Sequence, residues 1–134
     1  MNKLFAAFAL CAFLVAAPQA QADDMDRLVQ SLCEYTKAND RTNLRKKLKA
    51  TDMQLRRVYG GMVCGAEGAF NGGTLLRVAI TFGATDAAEF IVSQVGADAV
   101  KTPEHDGKSV LQWGEEQSGD PAKKAVVDII RAAG

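Results

Sequence analysis

GGTLLRVAITFGATDAAEFIVSQVGAD, Gly72 to Asp98, is the stretch whose reading decides the fold. From Thr74 the apolar residues Leu75, Leu76, Val78, Ala79 and Phe82 recur at helical spacing and stop at Gly83. Thr85 is expected to cap a second helix that turns Ala87, Ala88, Ile91, Val92 and Val95 inward and ends at Gly96. The chain then repeats itself. Laying Gly72 on Gly107, 35 residues on, aligns GGTLLRVA with GKSVLQWG, and each copy continues into a turn and a second helix. In the second copy Ser109 and Gln112 have the spacing of a capping box. Asp120-Pro121 reads as an N-cap followed by proline at the first helical position. The last helix aligns Ala122, Ala125, Val126, Ile129, Ile130 and Ala133 on one stripe. Between the copies, ADAVKTPEHDGK reads as a polar excursion turning at Asp106-Gly107.

The N-terminal half is helical by the same spacing. Met25, Leu28, Val29, Leu32 and Cys33 share one face, and TKANDRTN breaks it. A very basic helix is expected over Thr42 to Ala50, with only Leu44 and Leu48 apolar. Thr51 or Asp52 is expected to cap a third segment carrying Leu55, Val58, Tyr59, Met62 and Val63, weakened by Gly60-Gly61. CGAEGAFNGG, Cys64 to Gly73, has four glycines in ten residues and reads as a loop. No stretch alternates at period two, so the expected fold class is all-α, built of stacked helical hairpins.

Self-similarity at this period marks helix-pair arrays. The repeat resembles the ankyrin repeat, whose consensus runs G-x-T-P-L-H-x-A-A, then a glycine turn, an apolar helix and G-A-D. Gly73 to Ala79 and Gly96-Ala97-Asp98 follow that order. Leucine or valine stands in place of the proline, and Arg77 and Gln112 in place of the histidine. The resemblance implies partner binding through the turn tips and the concave helix face. Two hairpins are too few to stand alone, so residues 23–71 would roof residues 72–134 as a helical cap. LCEYTKANDRTNLRKKLKATDMQLRRVYGGMVC followed by NGGTLLRVA is also similar to a family of small, uncharacterised exported proteins of gammaproteobacteria. That family brings no activity to carry over.

The chain opens MNKLFAAFALCAFLVAAPQAQADD: Lys3, an apolar run from Leu4 to Ala17, and the small-x-small signal Ala20-Gln21-Ala22. This is the pattern of a cleavable export signal over residues 1–22, cut after Ala22, with Cys11 as apolar filler. The run is shorter than the roughly 20 residues a spanning helix needs. The expected product is a single periplasmic or secreted domain, residues 23–134, retaining Cys33 and Cys64. An even count in an oxidising compartment favours pairing, with two buried thiols or a redox pair as alternatives; no C-x-x-C spacing supports the last.

The sequence carries no catalytic constellation. His105 is the only histidine, flanked by Glu104 and Asp106 in a polar loop, where neighbours in a turn make no sheltered acid–base site. One histidine and a paired cystine cannot complete a tetrahedral metal site. There is no G-x-S-x-G elbow, Cys/His dyad or phosphate loop. No cofactor and no enzymatic activity are expected.

Charge is balanced in number, 16 basic against 16 acidic residues, but not in place. Arg41, Arg45, Lys46, Lys47, Lys49, Arg56 and Arg57 face Asp52 alone between positions 41 and 57. Arg41, Arg45, Lys46, Lys49, Arg56 and Arg57 therefore form a candidate patch for an anionic partner: lipid headgroups, lipopolysaccharide or an acidic protein. The alternative is a solvated face balanced by the acidic C-terminal half. Nucleic acid is not expected, because little aromatic surface beyond Tyr59 interleaves the cations. The loop tips offer Phe70 and Asn71 on one side and Glu104, His105 and Asp106 on the other, with Phe70 expected to be exposed. Trp113, equivalent to Val78, is expected between the repeats. The function these features imply is a non-catalytic module that binds a protein partner. The alternatives are a binder of anionic envelope components and an inhibitor or immunity protein of an exported toxin.

Overall fold

Several helices in this chain begin or end where side chains or glycines satisfy the helix termini. A computed structural model describes residues 17–134, with side chains from Asp24 onward. The leader assigned to residues 1–22 thus lies mainly outside the described residues. The elements are α1 (Ala17–Lys37), α2 (Arg41–Ala50), α3 (Leu55–Val58) with a 3-10 turn (Tyr59–Gly61), α4 (Leu75–Phe82), α5 (Thr85–Val95), α6 (Ala97–Lys101), α7 (Val110–Glu116) and α8 (Pro121–Ala133). Among the described residues the only β features are two isolated bridges, and no helix is long and apolar enough to cross a membrane.

In α1, Leu28, Leu32 and Thr36 are buried on one stripe against α2 and α4, and the Thr36 hydroxyl donates to the Leu32 carbonyl at 2.7 Å. The α1–α2 turn is set by Asn39 at φ 57° and Asp40, whose carboxylate accepts from the Asn43 N–H and caps α2. Asn39 does more than turn the chain. Its Oδ1 accepts from the Ala87 N–H at 2.9 Å and its Nδ2 donates to Asp86 at 3.3 Å. α5 begins after Ala84 and has no side-chain cap of its own, so Asn39 supplies one from across the fold, and the expected Thr85 cap is the first helical residue instead. Asn39→Ala is expected to cost about 1–2 kcal/mol, combining cap loss with a residue less tolerant of the left-handed region than asparagine. Asn39→Gly keeps the turn and should lose only the cap, about 1 kcal/mol; urea denaturation separates the two.

The third helix is shorter than the spacing implies. Thr51 ends α2, its hydroxyl donating to the Lys47 carbonyl at 2.9 Å, and Asp52 turns the chain at φ 50°. Neither caps α3, which follows Gln54 without a side-chain cap and tightens into the 3-10 turn at Tyr59–Gly61. The loop from Cys64 to Gly73 is ordered as an irregular hairpin: Cys64 and Gly73 exchange backbone hydrogen bonds at 2.7 and 3.1 Å, and Glu67 and Phe70 at 2.9 and 3.0 Å.

In the C-terminal half the expected end of α4 and the expected starts of α7 and α8 stand. α4 stops at Gly83, which takes φ 65° as the left-handed cap, and Ser109 and Gln112 close their capping box at the start of α7. Asp120 caps α8 through the Ala122 N–H, with Pro121 first in the helix. The polar excursion, by contrast, contains α6, whose Val100 is fully buried. Gly96 breaks the chain for one residue and the helix resumes. On α8 the buried residues are Val126, Val127 and Ile130, while Ala122 and Ala125 are exposed. α4 and α5 both pack on α8, which also holds α7, and α4 touches α7. Gly114 permits that approach: a Cβ there would lie 2.9 Å from Ile80 Cδ1 and 3.0 Å from Val127 Cγ2. One continuous apolar core runs from Leu28 and Leu44 through Leu55 and Leu76 to Val126 and Ile130.

Candidate binding surfaces

The paired cysteines are the firmest of the expected site residues. Cys33 and Cys64 form a disulfide, Cα–Cα 5.8 Å, tying α1 to the glycine-rich hairpin. On that hairpin Phe70 departs from expectation. It is 4% exposed, its ring edge-on to Phe82 with centroids 6.4 Å apart. Phe70 is a core residue that anchors a loop with little else to bury, and it is not a contact tip. Asn71 beside it is exposed.

The second loop tip is also largely committed to the fold. Arg77, in the middle of α4, is 2% exposed and needs counter-charges. Its Nε donates to Glu104 Oε1 at 2.5 Å, Nη1 and Nη2 reach the two Asp106 oxygens at 2.7 and 2.8 Å, and Nη2 also reaches the Lys108 carbonyl at 3.2 Å. Thr74 Oγ1 donates to the other Glu104 oxygen at 2.9 Å. The Arg77 hydrogen bonds hold the Asp106 carboxyl far below the ordinary carboxylate range. Glu104 and Asp106 are therefore structural partners of Arg77 instead of free contacts, and His105 between them remains exposed. The sequence does carry a signal for this network, one that the loop-tip reading overlooks: an arginine in the apolar run LLRVAI, with two acids in the polar segment between the copies.

What survives of the loop tips converges on one recess of about 270 Å³. Asn71, His105, Trp113, Gln117 and Lys123 are among the residues that line it. Trp113 is half-buried, with the Arg77 guanidinium 5.0 Å from its ring centroid, so one face is fixed by a cation. The expected burial between helices is only partial.

The basic residues divide. Arg41, Arg45 and Lys49 line a groove of about 450 Å³ between α2 and α5, together with Leu48, Met53 and Phe90. Lys46 and Arg57 are exposed but line no groove with them. Arg56 sits elsewhere, where a Cβ on Gly96 would lie 3.1 Å from its Nη2. Nothing among the described residues resembles a metal centre: no three His, Cys, Asp or Glu side chains gather in one place. The Tyr59 hydroxyl is buried without a hydrogen-bond partner among the described residues, and that burial pushes it above the ordinary phenol range.

A family model described as "protein of unknown function (DUF3718)" matches residues 32–102. The match takes in both cysteines, the basic segment and Arg77, and stops before the loop that neutralises Arg77. No curated protein and no solved structure matches the chain.

Proposed function

The chain belongs to the DUF3718 family of proteins of unknown function, and from that premise we propose that it is a non-catalytic, exported interaction module that binds a protein partner through the recess between its loop tips. The observation that carries this reading is the meeting of Asn71, His105, Gln117 and Lys123 around a half-buried tryptophan. Aromatic side chains with one free face, rimmed by polar groups, are the usual anchors of protein interfaces. The neighbouring packing of α4–α5 and α7–α8 supports an ankyrin-like arrangement, in which loop tips and inner helices make the binding face. Export is supported by the disulfide, a bond that persists in oxidising compartments. An inhibitor or immunity protein of an exported toxin would be one form of such a module.

Trp113 is the only tryptophan, so its emission reports occupancy of the recess directly. A partner captured from envelope extract of the source cells should shift that emission on titration. Asn71→Lys and Trp113→Phe should each weaken its affinity by about tenfold or more. Retention of the partner with equal affinity by both variants, or an emission spectrum indifferent to it, would remove the recess as the site.

A further inference from the structure

The fold leaves one charge imbalance uncorrected. In the C-terminal half several acids pair with cations: Lys108 with Glu116, Lys124 and Arg131 with Asp128, and Arg131 with Glu115. The basic segment has no such relief. Among the described residues Arg45, Lys46, Lys47, Lys49, Arg56 and Arg57 join no ion pair, and Arg41 approaches Glu89 only at 3.8 Å. Between this segment and the acidic half only that one long contact exists among the described residues.

Three of these cations are gathered by helix geometry. Arg41, Arg45 and Lys49 stand at successive i, i+4 positions of α2, where like charges repel. Arg41 also puts a positive charge in a first turn that holds no acid, against the helix dipole. Across the groove, α5 contributes Phe90, Ser93 and Gln94, while Leu48 and Met53 complete an apolar lining; Asp52 is the one acid along it. The Arg45 guanidinium lies 5.8 Å from the Phe90 ring centroid, which holds it over the groove.

We propose that the α2–α5 groove is a docking site for an acidic peptide segment of a partner protein, with its carboxylates on Arg41, Arg45 and Lys49 and one apolar side chain against Leu48, Met53 and Phe90. Charge complementarity selects the acid, and the apolar lining selects a side chain beside it. A lipid surface fits less well. Membrane-surface binders place apolar side chains beside their cations to enter the interface, whereas the exposed large apolar residues here, Met25, Val63 and Phe82, line no part of this groove. The groove shares no residue with the Trp113 recess, so the two sites stand or fall separately.

The test uses the full processed chain and a fluorescein-labelled peptide alternating Asp and Glu around a single Phe, read by polarisation at low salt. Arg45→Glu and Lys49→Glu should each weaken binding by about tenfold, as should replacing the peptide's Phe by Ser. Lys46→Glu, the same charge change outside the groove, should leave affinity nearly unchanged. All three positions are exposed, so circular dichroism should show unaltered folding. Equal losses in Arg45→Glu and Lys46→Glu would overturn the groove in favour of diffuse charge. Indifference to the peptide's Phe would overturn the apolar contact. Sedimentation with phosphatidylglycerol vesicles, in a protein that ignores the peptide, would overturn it in favour of a membrane surface.

Discussion

Arg77→Met is expected to lower the unfolding free energy by about 3–5 kcal/mol, because it strands a buried carboxylate. The Glu104 side chain is 9% exposed and would keep only the Thr74 hydroxyl as a partner. Glu104→Gln should cost less, about 1–2 kcal/mol, since the amide oxygen can still accept from Arg77 while its NH2 donates to the Thr74 hydroxyl oxygen, and Arg77 keeps both Asp106 oxygens. Combining Arg77→Met with Glu104→Gln should recover part of the loss, as removing both members of a buried pair does. A single-variant loss within about 1 kcal/mol would mean that the network behaves as a surface pair. Acidity provides a second reading. Asp106 is depressed below its ordinary 3.8 by Arg77, so its contribution is complete above that value and fades as pH falls toward the folded-state pKa. Wild-type urea midpoints should therefore fall more steeply between about pH 5 and pH 2 than those of Asp106→Asn.

Elements whose ends are written in local chemistry are legible in the sequence. Ser109 with Gln112, Asp120 with Pro121, and Gly83 each satisfy helix termini from within a few residues, and the structure puts their helices where the spacing implies. The departures share a cause: the decisive partner lies far along the chain. Thr85 resembles a cap because nothing nearby indicates that Asn39 reaches Ala87. α6 is hidden because Gly96 is a proper stop, and only tertiary burial of Val100 accounts for the restart.

The candidate sites divide along the same line. Proximity on one helix is legible, so the i, i+4 spacing alone groups Arg41, Arg45 and Lys49. Their apolar floor is not legible, because Phe90 arrives from α5. Phe70 misleads for the opposite reason. Its glycine neighbours suggest an exposed tip, yet a loop that poor in side chains can be held only by burying the one large ring it has. Glu104 and Asp106 look free in sequence and are taken up by Arg77 in space.

That hairpin also determines what loss of the disulfide should do. Replacing Cys33 and Cys64 by serine, or reducing the bond, is expected to cost about 3–4 kcal/mol, the loop-closure value for a separation of 31 residues. For a domain whose whole stability is of order 5–15 kcal/mol, that is a large fraction. The loss should be localised. α1 stays attached through Leu28 and Leu32 to the core, but the hairpin from Cys64 to Gly73 holds four glycines, with Gly68, Gly72 and Gly73 at φ 59°, 91° and 154°. Such a backbone has the most conformational freedom to regain, and without the cystine its paired backbone bonds, the Phe70 ring and the exposed Lys37–Glu67 ion pair are left to restrain it. Amide exchange at Cys64, Glu67, Phe70 and Gly73 should therefore accelerate on reduction well before that of α8, and the urea midpoint should fall with it. An unchanged midpoint, or acceleration spread evenly over all helices, would contradict this. It would mean that the Phe70 ring, the two bridges and the Lys37–Glu67 pair fix the loop without the cystine, and that the covalent link between α1 and the hairpin restrains a segment already held.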